Sequence, residues 1–333
     1  MRKIVLAVLL IAATFSAKAW NTAYDKAVYL VAAQNYNPKT LRLVQYYVNE
    51  DVTKASNHLA WHRKNGRHLE SAGWHKLHLD ASLQPAAKDE NDAYVQIEKA
   101  LEIIRNRKDH DDAVVSFAVH TVMNLIVDMH NLSNVVIEDI PLSHLDDFKV
   151  GTSRGTANGR KATITPYSWK SLWTHRYVTY HGAYSPQMWA KDIVIMHGDK
   201  KEEYSKGTLK DWANDVGQYT KDIYGVLEAG NGNFLHPTIQ KYEEFHMSCL
   251  ARAAYRIAVL LNEEEKKQAY QIGLEKNLFI SGGSDHSGLC GGFYSSCKTE
   301  EELLNFHLYI PEHSVGTSKE YFEEIKNHKL NRG

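Results

Sequence analysis

The sequence predicts a mainly α-helical protein with a small α/β tail at its C-terminal end. Apolar residues recur at helical spacing through most of residues 20–262, and strand-like alternation is nearly absent before residue 275. A short apolar run and a Gly-rich turn follow only after that point. The composition, 43% hydrophobic and 24% charged, is typical of a globular protein and excludes a disordered or multi-span membrane protein.

The charge balance and the cysteine count exclude two further classes. The chain has 39 Lys and Arg against 40 Asp and Glu, so no basic field marks a nucleic-acid binder. Three Cys are too few for a disulfide scaffold. The 18 His make metal chemistry worth testing along the chain.

Residues 1–19 have the pattern of a secretory signal peptide. Two basic residues precede an apolar run that ends at Phe15, and Ala17 and Ala19 occupy the small-residue positions of a cleavage site. The run is shorter than the roughly 20 apolar residues that span a membrane. We therefore expect cleavage before Trp20, export to the periplasm or the medium, and no membrane span.

The helices follow from the apolar spacing and from their start and stop residues. In chain order they are expected at residues 20–33, 40–48, 92–107, a long helix from residue 111, 168–180, 185–197, 207–227 and 237–262. Residues 150–166 are rich in Gly, Thr and Asn and are expected to form a loop. The charged run at residues 263–267 marks the expected boundary between a helical domain (20–264) and a C-terminal segment (265–333).

Five sequence blocks carry a family resemblance over residues 20–262. They are Trp20-Asn-Thr-Ala-Tyr-Asp25, Trp74-His75-Lys-Leu, Asp128-Met-His130-Asn-Leu-Ser-Asn134, Ser168-Trp-Lys170-Ser-Leu-Trp173-Thr174 and Leu250-Ala-Arg-Ala-Ala-Tyr-Arg256-Ile-Ala-Val-Leu-Leu-Asn262. In this order they resemble the zinc-dependent single-strand-specific nucleases of the S-one and P-one type, which share a superfamily with bacterial zinc phospholipase C. The resemblance implies a helical bundle, a three-zinc cluster, and hydrolysis of phosphodiesters in single-stranded nucleic acids and nucleotides.

The resemblance also implies which residues would hold zinc, and most of those positions are altered. Trp20, His75 and Asp128 retain the family's ligands. The replaced ligand positions are Asp25, Ala60, Asn124, Asn134, Lys170 and Thr174. Zinc takes about four ligands, chiefly imidazole, thiolate or carboxylate. Because Ala60 removes a bridging carboxylate and Lys170 adds a positive charge, we expect no full three-zinc cluster and assign no catalytic residue.

Two other interpretations of the retained residues stay open. A smaller zinc site is one, with His75 and Asp128 joined by Asp25, His120 or His130; His120 lies eight residues before Asp128, about two helical turns away on roughly the same face. The other interpretation is that His75 and Asp128 are simply hydrogen-bonded interior polar residues.

Three functions are consistent with these patterns. The ligand losses favour an exported protein of the nuclease family that is weakly active or inactive. An active metal-dependent phosphoesterase with a rebuilt site, acting on single-stranded nucleic acid or nucleotides, is the first alternative. A carbohydrate- or peptide-binding surface protein is the second, and only the 19 Tyr and 7 Trp suggest it.

The C-terminal segment has a separate resemblance. Residues Asn277-Leu-Phe-Ile-Ser-Gly-Gly-Ser-Asp285-His286 are similar to the closing motif of the polymerase and histidinol phosphatase family, where Gly-Ser-Asp-x-His ends a metal-lined barrel. Here His286 directly follows Asp285, and the family's opening His-x-His strand is missing. We therefore expect an orphan fragment, with a functional fusion as the alternative. Cys249, on an amphipathic helix, is expected to be a buried free thiol.

Overall fold

The computed structural model describes residues 22–87, 89–138, 140, 150–151, 166–167, 184–229 and 236–275. Several sequence predictions lie outside these residues: the signal peptide with Trp20, the helix at 168–180 with Lys170 and Thr174, and the tail motif with Asp285 and His286.

The predicted mainly α-helical character is confirmed over the described chain. The α-helices are α1 (Thr22–Ala33), α2 (Pro38–Tyr47), α3 (His58–Lys64), α4 (Ala93–Arg105), α5 (Asp112–Met129), α6 (Pro186–His197), α7 (Lys201–Ser205), α8 (Leu209–Ala229) and α9 (His236–Glu275). Short 3-10 helices lie at Val52–Ala55, Leu69–Gly73, Arg107–Asp109, Leu132–Asn134 and Gly198–Lys200.

Several helix boundaries differ from the sequence prediction, and two of these differences have a clear physical reason. Helix α2 begins at Pro38, because the Asn37 side chain accepts a hydrogen bond from the Thr40 backbone N–H at 2.8 Å and proline suits the first helical position. Helix α9 does not stop at Asn262 but continues to Glu275. The residues that follow Asn262 are mostly Glu, Lys, Gln and Ala, which favour helix, so the charged run extends α9 rather than ending it.

Four short strands were not predicted. Strand β1 (Leu77–Leu79) pairs in parallel with β2 (Val135–Ile137). Strand β3 (Val150–Gly151) pairs antiparallel with β4 (Pro166–Tyr167), at the two ends of the predicted loop. Strands of two or three residues are too short to produce a recognisable alternation of apolar and polar residues.

The described residues fall into two compact units. One consists of residues 22–36 and the described residues from 44 to 260, and the other consists of residues 37–43 and 261–275. In the second unit the Asn37 backbone N–H donates to Asn262 Oδ1 at 2.9 Å, and Lys39 Nζ lies 3.8 Å from Glu265 Oε1. These contacts join the two sequence segments of that unit.

Helix α5 lies in the core of the first unit. It contacts α4, α1 and α3. Within the described ranges, α5 is the one helix long and apolar enough to cross a membrane, with a mean hydropathy of 1.4, and 67% of that stretch is buried inside the protein. Such burial is what the central helix of a globular core shows.

Close packing brings α8 against β1. A Cβ atom added at Gly217 would lie 2.6 Å from Leu79 Cδ1, so only glycine permits this approach without a shift. Helix α1 packs on α6 through Tyr24 and Trp189, whose ring centroids are 5.0 Å apart. Cys249 on α9 is a buried free thiol, as predicted.

Candidate functional site

Pairing of the two short parallel strands positions His75 and Asp128. His75 lies two residues before β1, and Asp128 lies in the last turn of α5, shortly before β2. His75 Nδ1 is 2.5 Å from Asp128 Oδ2, and the two residues are only 9% and 7% exposed. The structure therefore brings together two of the residues that the resemblance selected from the sequence.

The carboxylate determines the tautomer of His75. Because Asp128 accepts the Nδ1 proton, the lone pair of the ring lies on Nε2. His75 Nε2 is buried and has no hydrogen-bond partner among the residues that the structure describes. A histidine backed by a carboxylate in this way is suited to bind a metal or accept a proton through Nε2.

Arg63 and Tyr29 lie near enough to this pair for the Asp128 carboxylate to affect their pKa values. Burial lowers the pKa of Arg63, and the nearby Asp128 carboxylate acts in the opposite direction. Burial raises the pKa of Tyr29 well above its usual value, and the Asp25 and Asp128 carboxylates raise it further. Asp25 Oδ2 also accepts a 3.5 Å hydrogen bond from Ser56 Oγ. Asp25 and Asp128 thus both lie close enough to Tyr29 to affect its ionisation.

The asparagines at two replaced ligand positions bond to the backbone. Asn124 Nδ2 donates to the Ala55 carbonyl at 3.0 Å and to the His120 carbonyl at 2.8 Å. Asn134 Nδ2 donates to the Asp128 carbonyl at 3.1 Å. These amides therefore satisfy backbone carbonyls of segments that lie around the His75–Asp128 pair.

The donors present do not fit a three-zinc cluster. Ala60 has no donor atom, and the two asparagine amides are engaged with carbonyls. Within the part of the chain that the structure describes, no group of three His, Cys, Asp or Glu side chains is arranged to hold a metal ion. Two neighbouring metal ions need bridging anionic donors to offset their repulsion, and the retained His75 and Asp128 are too few.

His130, predicted as a substitute ligand, has both ring nitrogens engaged elsewhere. Its Nδ1–H donates to the Ile126 carbonyl at 2.7 Å, and its Nε2 accepts from Arg256 Nη1 at 2.8 Å. Burial, followed by the charge of Arg256, holds the pKa of His130 well below its usual value. His130 is therefore a neutral acceptor for an arginine.

Arg256 and Arg252 on α9 share one carboxylate, that of Asp215 on α8. Arg252 Nη1 lies 2.7 Å from Asp215 Oδ2, and Arg256 Nη2 bonds to the same oxygen. Arg256 Nε donates to the Tyr204 carbonyl at 3.1 Å, and Arg252 Nη2 donates to Tyr219 Oη at 2.8 Å. Burial lowers the pKa of Arg256 to about 10, although Asp215 raises it, so Arg256 stays charged near neutral pH. We call these five residues, with His130, the arginine network.

His120, the other predicted substitute ligand, belongs to a group that sequence reasoning missed. Its ring stacks on His58, with centroids 3.4 Å apart and 16° between planes. His58 Nε2 lies 2.8 Å from His62 Nε2, and the His62 ring centroid is 5.2 Å from that of His68. We call His58, His62, His68 and His120 the histidine cluster. The four-residue spacing of His58 and His62 was the signal for it in the sequence.

Two aromatic residues pack against the histidine cluster. Phe117 on α5 stacks on His68 with a centroid distance of 3.7 Å, and Trp61 lies 5.0 Å from His62. Burial, followed by the neighbouring His120, His62 and His68, lowers the pKa of His58 to about 3. Burial likewise lowers the pKa of His120 to about 4. These imidazoles are therefore neutral near pH 7.

Comparison with known proteins adds no family assignment. No protein-family model matches the chain, and no curated protein matches it in sequence. The resemblance to the single-strand nucleases therefore rests on the five sequence blocks alone.

Proposed function

We propose that the protein is an exported member of the zinc-dependent single-strand nuclease family whose three-zinc centre is degenerate. On this proposal it hydrolyses phosphodiesters weakly or not at all, and its helical body serves as a binding or structural module. The order of the five sequence blocks and the mainly helical described chain support the family.

The state of Asn124 and Asn134 is the observation that carries the loss of activity. When the amide nitrogen of an asparagine donates a hydrogen bond to a carbonyl, the amide oxygen is the atom left to bind a metal. An amide oxygen is a weak neutral zinc ligand compared with imidazole. Asn124 bonds to two carbonyls, and Asn134 bonds to the carbonyl of Asp128 itself. These side chains therefore form hydrogen bonds to the backbone at positions where the family binds metal.

Metal hydrolases need a metal ion to generate hydroxide near neutral pH and to stabilise charge on the phosphate. Here the chain's own residues supply the His75–Asp128 pair, with Arg63 close to the carboxylate. The pair can orient one imidazole and hold one proton on Nδ1. It does not supply the bridging carboxylate that is lost at Ala60.

The experiment measures hydrolysis of single-stranded DNA, RNA and a bis-aryl phosphodiester by the purified protein, with and without added zinc. We expect turnover indistinguishable from a matched sample containing the Asp128→Asn variant. Asp112→Asn, at an exposed carboxylate on the same helix, is the control for effects of charge alone.

Turnover that a chelator abolishes, and that Asp128→Asn abolishes while Asp112→Asn does not, would show an active rebuilt site and refute the proposal. A second variant tests the cause of the loss. Restoring Ala60→Asp, Asn124→His, Asn134→His and Lys170→His together should increase zinc binding before any activity appears. If the restored variant binds no more zinc than the parent, the assignment of these positions to the family's site is wrong.

A further inference from the structure

We propose that His58, His62 and His120 bind a divalent transition-metal ion of the Zn²⁺ or Cu²⁺ class, at a site distinct from the positions that resemble the nuclease family. The juxtaposition of three imidazoles from two helices, α3 and α5, is the basis of this assignment.

The spacing on α3 directs two ring nitrogens at one point. Residues four apart lie on the same face of a helix, one turn above the other. His58 Nε2 and His62 Nε2 are 2.8 Å apart, so one proton between them can form the hydrogen bond. Two nitrogens on one zinc ion, each about 2.0–2.1 Å from the metal, lie about 3.3 Å apart in tetrahedral geometry. A metal ion in place of that proton therefore needs the two nitrogens to move apart by about half an ångström and both rings to tilt until their lone pairs point at the ion.

His120 carries its lone pair on Nε2. Its Nδ1–H donates to the Ser116 carbonyl at 2.7 Å, which leaves Nε2 without a proton in the neutral ring. A backbone carbonyl behind the second ring nitrogen is a common arrangement for a metal-binding histidine. The ring stacks on His58, so the two rings must tilt relative to each other before both lone pairs can point at one ion.

His68 extends the cluster on its exposed side. Its Nδ1 lies 3.2 Å from Glu70 Oε1, so a carboxylate can hold the proton on Nδ1 and leave Nε2 as a donor. Asn57 and His68 both adopt positive φ, at 61° and 48°. Residues held in this region of backbone space cost free energy and concentrate at functional sites. Asn57 immediately precedes α3, and His68 immediately precedes the 3-10 helix Leu69–Gly73, so the two residues set the start of each of these helices.

The histidine rings have to rearrange before they can hold a metal ion. An ion at the two Nε2 atoms would leave the buried Nδ1–H of His62 as it is, without a partner among the described residues. The three donor rings do not yet converge on one point, in agreement with the absence of a ready-made three-ligand group among the described residues. Metal binding would bring them together, because an imidazole ring rotates about its last side-chain torsion more freely than an aliphatic chain.

The donor set selects the metal class. Imidazole nitrogen binds Zn²⁺, Cu²⁺ and Ni²⁺ well, whereas Ca²⁺ and Mg²⁺ prefer carboxylate and carbonyl oxygen. Neutral rings are ready to coordinate without first losing a proton. His62 is half-buried and His68 is exposed, so an ion has a path from solvent to the cluster.

The site is separate from the predicted family positions. Ala60 lies two residues from both His58 and His62, and two residues correspond to about 200° around a helix. His58 and His62 therefore project from the side of α3 opposite Ala60. They are not substitutes for the bridging carboxylate that the family carries there.

The experiment titrates the purified, untagged protein with Zn²⁺ and with Cu²⁺ by calorimetry, and measures the effect of each ion on the melting temperature. Ca²⁺ and Mg²⁺ serve as comparison ions. We expect one tight equivalent of Zn²⁺ or Cu²⁺, a higher melting temperature with that ion, and no effect of Ca²⁺ or Mg²⁺. His58→Gln and His62→Gln should each lower the affinity at least about tenfold, and His120→Gln should lower it as well. The exposed His110→Gln is the matched control and should bind as the parent does.

A spectrum of the unmodified protein makes the test independent of how the variants fold. Electron paramagnetic resonance of the Cu²⁺ form should show at least two coordinated imidazole nitrogens. The proposal is overturned if the parent binds neither ion, if the spectrum shows fewer than two imidazoles, or if folded His62→Gln binds like the parent. Loss of the metal in His75→Gln but not in His62→Gln would place it at the family positions and would also overturn the proposal. Hydrolysis is not a readout here, so the result is independent of the proposed loss of nuclease activity.

Discussion

The arginine network and the histidine cluster differ in how completely their hydrogen bonds are satisfied. Each guanidinium nitrogen of Arg256 has a partner: Nε with the Tyr204 carbonyl, Nη1 with His130 and Nη2 with Asp215. In the histidine cluster, His58 and His62 share one hydrogen bond, and His62 Nδ1 is buried without a partner in the described chain. A satisfied buried network holds helices together, whereas a buried polar atom without a partner costs free energy in the folded state.

The largest effect is expected from Arg256→Met, which breaks the arginine network. The substitution keeps an unbranched side chain but leaves the Asp215 carboxylate and His130 without their buried partner. Removing one partner of a buried ion pair costs about 3–5 kcal/mol. Urea unfolding followed by circular dichroism measures the loss.

Arg67→Met is the control, because Arg67 is exposed and its replacement should change the free energy of unfolding by no more than about 0.5 kcal/mol. Equal effects of the two substitutions would mean that the network does not stabilise the fold, and the contrast between the two regions would fail.

Acid should weaken the arginine network through His130. Burial and then the charge of Arg256 hold the pKa of His130 well below its ordinary value of 6.5, so below that pH the unfolded chain binds a proton that the folded protein does not. This contribution to stability is complete above pH 6.5 and is lost as the pH falls. We expect the free energy of unfolding to decrease between about pH 7 and pH 5, and to decrease less in His130→Gln.

Other buried histidines with lowered pKa values, His58 and His120 among them, will keep part of this acid sensitivity in the variant. An NMR titration assigns the effect to one residue. A His130 ring that titrates in the folded protein with a midpoint near 6.5, the ordinary value of histidine, would contradict the prediction.

The smallest effect is expected in the histidine cluster of the metal-free protein. His62→Phe keeps a ring against Trp61 and Phe117, removes the unsatisfied Nδ1, and loses the hydrogen bond to His58. These terms oppose each other, so the free energy of unfolding should change by less than about 1 kcal/mol. The measurement is urea unfolding in the presence of a chelator. A loss as large as that of Arg256→Met would show that the cluster is a structural network like the other.

Several features of the fold could be predicted because they depend on local periodicity. The apolar stripe of α5 predicted a long helix from residue 111, and Cys249 was correctly placed in a buried helix face. Helix ends were harder, since the cap at Asn37 and the continuation to Glu275 depend on individual side chains and on weak propensities.

The candidate site was only partly predictable for the same reason. His75 and Asp128 could be selected from the sequence, but their contact depends on β1 and β2, which are each three residues long and leave no periodic signal. His58 and His62 have the four-residue spacing of two ligands on one helix face, but the family resemblance concerned Ala60, which lies between them. His120 was proposed as a partner of Asp128, whereas the structure stacks it on His58.

The sequence by itself determined the mainly helical class, because a repeat of about 3.6 residues is a property of the chain's own backbone geometry and of which face is apolar. It also determined which polar residue types are available. Only the tertiary structure decided which of their atoms are satisfied. Asn124 meets the Ala55 carbonyl, Arg256 meets His130, and His120 meets His58, each across a long stretch of sequence. The partner of a buried polar atom depends on which segment packs against it, and no local pattern encodes that choice.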